Sequence, residues 1–195
     1  MSRAGRFVPP LVKGAAGFLA GAALWAGLAE PYQRTLAPVA QAAIRLFESP
    51  AVTRLRAEQR EVIVDREDFP ESSARPGVPA DDLDFNVAIL TALFAAIPRP
   101  LSDRALRRFA AAAAILWATH VVALVFAVES LYALSLGPWS AAHYGAPARN
   151  FWATGSHFYR IAGIFAVPFA LWWALAAGSS PGASAASRRM QHRRR

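Results

Sequence analysis

The chain has 195 residues, 55% of them hydrophobic, and carries a formal net charge of +8 with a pI near 11.1. Its basic residues flank apolar runs, so the charge indicates membrane orientation and contact with anionic lipid headgroups, and we expect no nucleic-acid partner. The absence of cysteine excludes disulfides, thiolate metal sites and a cysteine nucleophile.

Three apolar runs predict membrane-spanning helices. The first is residues 14–29, and the strongest is residues 109–128 (FAAAAAILWATHVVALVFAV). The third is residues 161–177, which extends upstream to Phe151. About 20 apolar residues in a helix cross the roughly 30 Å of hydrocarbon in a bilayer. The sequence therefore predicts an integral membrane protein.

A fourth run, residues 85–98 (FNVAILTALFAAIP), is short for a span. The distribution of charge favours a span nevertheless. With four spans, the basic clusters at residues 3–13, 99–108 and 188–195 all lie on one side, which the positive-inside rule assigns to the cytoplasm. Residues 30–84 hold eleven of the thirteen acids and seven arginines, so they have no basic excess. We therefore expect both termini in the cytoplasm.

The first span has an alternative reading as a cleaved signal peptide, because Gly27 and Ala29 are the small residues that a signal peptidase reads. The small-x-x-x-small pair Gly17 and Gly21 favours a retained, packed helix. The predicted order is a basic N-terminus (1–13), span one (14–29), an extracytoplasmic domain (30–84), span two (85–98), a basic loop (99–108), span three (109–134), an extracytoplasmic aromatic loop (135–152), span four (153–177) and a basic tail (178–195).

The extracytoplasmic domain is predicted to begin with an amphipathic helix at residues 36–47, with Pro38 in its first turn. Its apolar face could lie on the membrane or cover the strands that follow. Alternation of apolar and charged residues over 52–68 predicts a small β-hairpin that turns near 58–60. The fold class is therefore an all-α membrane protein of about four spans with a small α+β insertion.

Between the hairpin and span two, residues 71–79 are predicted as a loop. Asp81 and Asp82 follow, and we expect their carboxylates to cap the next helix by accepting from its free amides. Calcium binding is a weaker alternative because the ligand spacing is poor.

Residues 136–160 form the densest polar and aromatic stretch of the chain. Its aromatic residues fit an interfacial belt, but Arg160 falls two to three turns inside the predicted span four. Glu129 lies at a comparable distance from the outer end of span three, so the sequence predicts an intramembrane ion pair between Glu129 and Arg160. His157 shares the helix face of Arg160, and His120 lies near the middle of span three.

Tyr144, Arg149 and Asn150 in the aromatic loop are predicted partner-binding residues, and His157 and His120 are candidate polar or partner-binding positions. The chain has no HExxH, no GxSxG and no paired intramembrane aspartates. We therefore predict no catalytic residue, metal or cofactor. Structural ion pairing, a polar pocket for a partner and intramembrane chemistry remain the three interpretations of these residues.

Residues 62–70 (VIVDREDFP), 83–86 (LDFN) and especially 129–160 (ESLYALSLGPWSAAHYGAPARNFWATGSHFYR) carry a resemblance to a known family. The chain resembles the exosortase H-associated membrane proteins of bacteria from residue 31 to about 173. The resemblance implies association with an exosortase, a membrane enzyme that processes proteins bearing a short C-terminal sorting signal. An exosortase needs Cys, Arg and His, and this chain lacks cysteine.

The sequence therefore predicts a non-enzymatic accessory or scaffold protein of an exosortase-type protein-sorting system. Its expected partners are membrane lipids and an exosortase-type membrane protein. Two alternatives stay open. One is a small transport or ion-coupling subunit that uses Glu129, Arg160 and His120, and the other is an intramembrane enzyme of unknown type.

Overall fold

The computed structural model describes residues 9–67 and 75–176. The predicted basic tail and most of the basic N-terminus lie outside these ranges. In chain order the elements are α1 (Pro10–Arg45), β1 (Thr53–Glu58), β2 (Glu61–Arg66), β3 (Gly77–Pro79), α2 (Asp81–Asp84), α3 (Asn86–Ala95), α4 (Asp103–Leu134), α5 (Pro138–His143), α6 (Ala146–Phe158), a π-helical turn (Tyr159–Gly163) and α7 (Ile164–Leu175).

Helix α1 joins the predicted first span and the predicted amphipathic helix into one element of 36 residues, about 54 Å long. Pro31 and Pro38 both lie inside it, so the placement of Pro38 in a first turn was wrong. The Thr35 hydroxyl donates to the Tyr32 carbonyl at 2.7 Å, between the two prolines. The amphipathic half of α1 covers the sheet. Of the two positions expected for its apolar face, on the membrane or over the strands, the second is therefore found.

The predicted hairpin is confirmed as β1 and β2, which pair antiparallel from Thr53 opposite Arg66 to Glu58 opposite Glu61. Gln59 and Arg60 form the two-residue turn, with positive φ angles of 47° and 69°. This left-handed geometry matches the twist of the strands. The short strand β3 adds to β2, where the sequence predicted loop.

The sheet packs against the later halves of α1 and α4, and together they form one layer of the molecule, the sheet layer. Leu36, Ala40 and Ile44 of α1 are buried against Val62 and Val64 of β2. The same core takes in the apolar residues of α4 that follow His120, namely Val121, Ala123, Leu124, Ala127 and Val128. Part of the strongest predicted span is therefore covered by protein.

The other layer, the helix bundle, combines the first half of α1, α3, the first half of α4, and α7. Gly17 and Gly21 of α1 are buried against α3, so the small-residue face predicted for α1 is a helix contact. Leu90 and Phe94 of α3 pack with Leu116 of α4. The bundle is the part of the fold that resembles a membrane domain.

Three helical stretches are long and apolar enough to span a membrane: α1, α4, and the continuous helix from α6 through the π-helical turn to α7. Helix α3 has 10 residues, a rise of about 15 Å, which is half of the hydrocarbon thickness.

Two predicted loops are partly helical. Helix α4 begins at Asp103 inside the predicted basic loop, because the Ser102 hydroxyl caps it by accepting from the Ala105 amide. The predicted aromatic loop contains α5 and the first turns of α6.

Candidate functional site

A hydrogen-bonded chain of four side chains crosses the interior where the two layers meet. The Tyr32 hydroxyl donates to His120 Nδ1 at 2.6 Å, and His120 Nε2 donates to the Asn86 amide oxygen at 2.7 Å. The Asn86 amide nitrogen donates to the Tyr159 hydroxyl at 3.3 Å. His120 and Asn86 are completely buried. Because His120 has one donor and one acceptor as neighbours, these contacts fit its neutral form.

A second buried polar group lies beside this chain and is centred on Asp84. Its carboxylate accepts from Trp25 Nε1 at 2.7 Å and from Gln33 Nε2 at 3.1 Å. The same Gln33 nitrogen donates to Asp81 at 3.1 Å. Burial raises the pKa of Asp84 to about 6, and these hydrogen bonds oppose the rise. Asp84 therefore titrates near pH 6, and its two hydrogen-bond partners both lie on α1.

Arg160 pairs with Asp82 at 3.0 Å, and both line an open cleft of about 490 Å³. The remaining lining residues are Trp25, Asp81, Phe85 and Ile164. Arg160 lies on the π-helical turn, where the Ile164 amide bonds the Tyr159 carbonyl five residues back. Such single wide turns are frequent at functional sites. Asp81 accepts a hydrogen bond from Gln33, and Asp82 pairs with Arg160. Neither carboxylate caps α2, so the predicted capping role was wrong.

Glu129 lies in a different polar cluster, at the sheet layer. Its carboxylate accepts from the Tyr144 hydroxyl at 2.8 Å. Arg66 lies nearby, between the rings of Tyr132 and Trp139 at 5.1 and 4.8 Å, and pairs with Glu48 at 2.8 Å. Burial, and then the negative charge of Glu129, raise the pKa of Tyr144. This cluster fastens α5 and its flanking turns to α4.

The predicted ion pair between Glu129 and Arg160 was wrong, since each residue has a different partner. Phe126 of α4 packs on Gly155, and His120 packs on Tyr159. This register sets Arg160 level with the middle of α4, about 14 Å along the helix from Glu129. The prediction assumed a simple short loop between two spans, but α5 and an early start of α6 shift the register.

The remaining predicted residues lie at the surface. His157 is exposed, and it does not accompany Arg160 into the cleft with Asp82. Asn150 is exposed on α6 and Arg149 is half-buried beside it. Asn150 lines an open, mostly apolar groove between α4 and α6, which we call the α6 groove; its other residues are Phe126, Pro147, Phe151, Thr154, Gly155 and Phe158.

Sequence reasoning missed most of the interior polar residues. It singled out His120 but neither Asn86 nor Tyr32, and it placed Asp84 at the end of the extracytoplasmic domain, directly before span two. One signal in the sequence could have indicated them. Asp84 and Asn86 stand at the start of an apolar run, and polar side chains buried there are costly unless they have hydrogen-bond partners.

The described residues include no group of three or more His, Cys, Asp or Glu side chains that could hold a metal ion. Comparison with protein-family models, with curated proteins and with solved structures finds no match to this chain.

Proposed function

We propose that this protein is an accessory or scaffold subunit of the bacterial inner membrane that docks an exosortase-type enzyme. The identity of the partner rests on the sequence resemblance over residues 31–173. The observation that carries a docking role is the α6 groove, where Phe151 and Phe158 are 58% and 66% exposed beside the exposed amide of Asn150. Exposed aromatic rings around a polar group are typical of interaction sites.

The α6 groove is backed by rigid packing. Phe126 of α4 packs on Phe151 at 5.5 Å and on Trp152 at 5.2 Å between ring centroids. The ring of Phe126 also occupies the position that a side chain at Gly155 would take. A surface that is already ordered loses little conformational entropy when a partner binds.

We further propose four spans with both termini in the cytoplasm and the sheet layer outside. The positive-inside pattern supports this orientation, and the antiparallel packing of α3 on α1 supports a return of the chain toward the basic end. Gly14 contacts Ala96 and Gly21 contacts Ala88, so the last turn of α3 lies beside the start of α1. In this arrangement α3 is too short to cross the bilayer alone, and its packing against α1 supports the crossing.

Site-specific photocrosslinking tests the docking role. A photoreactive phenylalanine at Asn150 should crosslink a co-expressed exosortase from the same genome, whereas the same residue at Glu58, on the sheet, should not. The variant Arg149→Ala, Asn150→Ala, Phe151→Ala should insert normally and lose this association. Tyr144 is left unchanged because its hydroxyl donates to Glu129.

The matched control is Phe165→Ala, Phe169→Ala, which removes aromatic rings of similar exposure, 58% and 50%, from the same continuous helix. Equal capture by the docking variant and the wild type would contradict the role of the α6 groove. A genome that encodes no exosortase would contradict the choice of partner.

A second candidate, an ion-coupling subunit, is favoured by the interior chain from Tyr32 through His120 and Asn86 to Tyr159, since hydrogen-bonded chains of this kind can pass protons. Proton flux into vesicles that contain the purified protein tests it. Flux that His120→Asn abolishes would favour this candidate over the scaffold.

A further inference from the structure

The cleft around Arg160 combines a charged rim with an apolar floor. Arg160, Asp81 and Asp82 form the rim, and Trp25, Phe85 and Ile164 form the floor. Its volume of about 490 Å³ lies within the range of small-molecule sites, roughly 300 to 1,000 Å³. The Trp25 and Phe85 rings meet edge to face at 5.1 Å, so the floor is well packed.

In the proposed four-span topology, on which this inference rests, the cleft lies toward the outer end of the helix bundle. Trp25 is twelve residues after Lys13 on α1, a rise of about 18 Å, and Arg160 is fifteen residues before the end of α7, a rise of about 22 Å. Measured from the basic ends of these helices across roughly 30 Å of hydrocarbon, Trp25 and Arg160 lie in the outer half, about 8 to 12 Å below the opposite interface. At this depth a long, charged side chain extends toward the headgroups, and the acyl carbons next to the headgroup are within reach of the floor.

The rim is close to electrically neutral, which limits the ligand. Arg60 reaches its edge, where it donates to Asp81 at 3.2 Å and to the Ala26 carbonyl at 2.9 Å and lies 4.9 Å from the Trp25 ring. Two arginines thus face two aspartates. A purely anionic headgroup would meet both carboxylates, whereas a headgroup that carries both charges would pair with both signs.

Arg160 and Asp82 are the two rim groups that remain accessible. Both oxygens of Asp81 already accept from Gln33 and Arg60, but Asp82 is 61% exposed and holds only Arg160 among the described residues. The Arg160 side chain is 37% exposed, and its Nε is buried without a hydrogen-bond partner in the described part of the chain. A phosphate on Arg160 and an ammonium on Asp82 would lie side by side, as they do in one headgroup.

We propose that this cleft binds a phosphoethanolamine group, supplied by phosphatidylethanolamine, with the phosphate on Arg160, the primary ammonium on Asp82 and the first acyl carbons on Trp25, Phe85 and Ile164. The apolar floor favours the lipid over a soluble phosphoethanolamine, which would leave the floor uncovered. The site is independent of the proposed docking function and lies on a different face from the α6 groove.

Native mass spectrometry of the full chain in detergent tests the site with three added lipids: dioleoyl phosphatidylethanolamine, phosphatidylcholine and phosphatidylglycerol. We expect the first to bind about tenfold more tightly than the other two, because methylated choline cannot donate hydrogen bonds to Asp82 and glycerol brings no cation. Soluble glycerophosphoethanolamine should not compete at equal concentration. Competition by it would assign the site to a soluble phosphoethanolamine and overturn the lipid.

Two variants separate the two charges. Arg160→Gln should lower phosphatidylethanolamine binding about tenfold, and Asp82→Asn should abolish the preference over phosphatidylcholine while phosphate binding remains. Asp82 is exposed, so its variant keeps the test valid if Arg160→Gln fails to fold. Arg34→Gln, which breaks an exposed pair with Glu30, is the matched control and should bind as the wild type does. Equal binding of the three lipids, or wild-type selectivity in Asp82→Asn, would overturn the proposal.

Discussion

Buried polar residues of this chain bond across helices, as Asp84 and His120 show. The Asp84 carboxylate accepts hydrogen bonds from Trp25 and Gln33 of α1, and His120 of α4 bonds Tyr32 of α1 and Asn86 of α3. A polar group buried without such a partner costs about 1 to 3 kcal/mol. These contacts therefore fix the rotation of α1, α3 and α4 about their axes more strictly than apolar packing does.

Asp84 gives the protein a pH-dependent stability. Its pKa rises from 3.8 to about 6 on folding, so its contribution to stability is complete below pH 3.8 and is lost as the pH rises through about 6. We expect the free energy of unfolding of the wild type, relative to Asp84→Asn, to fall by roughly 3 kcal/mol between pH 4 and pH 7.

Denaturant unfolding in detergent at several pH values measures this difference. Asp103→Asn, which makes the same change at an exposed carboxylate, is the control. A constant difference between the wild type and Asp84→Asn across this range would show that folding does not raise the pKa of Asp84.

Double-mutant cycles distinguish the observed partners from the predicted ion pair. Glu129→Gln and Tyr144→Phe should couple by about 1 kcal/mol, since one hydrogen bond joins them. Glu129→Gln and Arg160→Gln should be additive within about 0.5 kcal/mol, because the two side chains lie in separate clusters. A coupling energy between Glu129 and Arg160 above that value would show that the two side chains interact, as the sequence predicts.

At the scale of elements, the sequence predicts the types of secondary structure better than their junctions. The hairpin and the apolar helices follow from periodicity, which depends on neighbours along the chain. The fusion of the first span with the amphipathic helix does not, because Pro31 and Pro38 signal helix ends. Packing on the sheet and on α4 keeps α1 continuous through both prolines. Likewise, β3 forms only because β2 offers it an edge.

The contact between α1 and α3 depends on glycine. A Cβ at position 21 would lie 2.9 Å from both Ala88 Cα and Thr91 Cβ, whereas a Cβ at Gly27 would meet nothing within 4 Å. We expect Gly21→Ala to lower the free energy of unfolding by about 1 to 3 kcal/mol, since backbone must move. Gly27→Ala on the same helix should raise it by up to about 1 kcal/mol through helix propensity.

Thermal unfolding of the two variants in detergent gives the comparison, and opposite signs are the expected result. If both alanines stabilise the protein, α3 does not pack against this face of α1.

At the scale of the whole molecule, the apolar content of a helix does not show whether lipid or other parts of the protein surround it. Residues 109–128 are apolar except for Thr119 and His120, yet the part after His120 contributes to the core with the sheet, and the part before it packs with α3 and α7. Lipid and protein interiors select the same residues, so composition cannot distinguish them. The interior polar chain at His120 lies at this boundary and is the better marker of it.

The proposed topology is tested by labelling single cysteines, which the cysteine-free chain makes unambiguous. We expect a membrane-impermeant maleimide to label Glu58→Cys and Ala142→Cys in intact spheroplasts, because the proposed topology puts the sheet layer and α5 outside. Leu101→Cys, 82% exposed between α3 and α4, should react only after permeabilisation. Reporter fusions after Ser102 and Ser187 should likewise read cytoplasmic, and those after Ser73 and Ala146 extracytoplasmic. Labelling of Leu101→Cys in intact spheroplasts would show that α3 does not complete a crossing and would leave three spans.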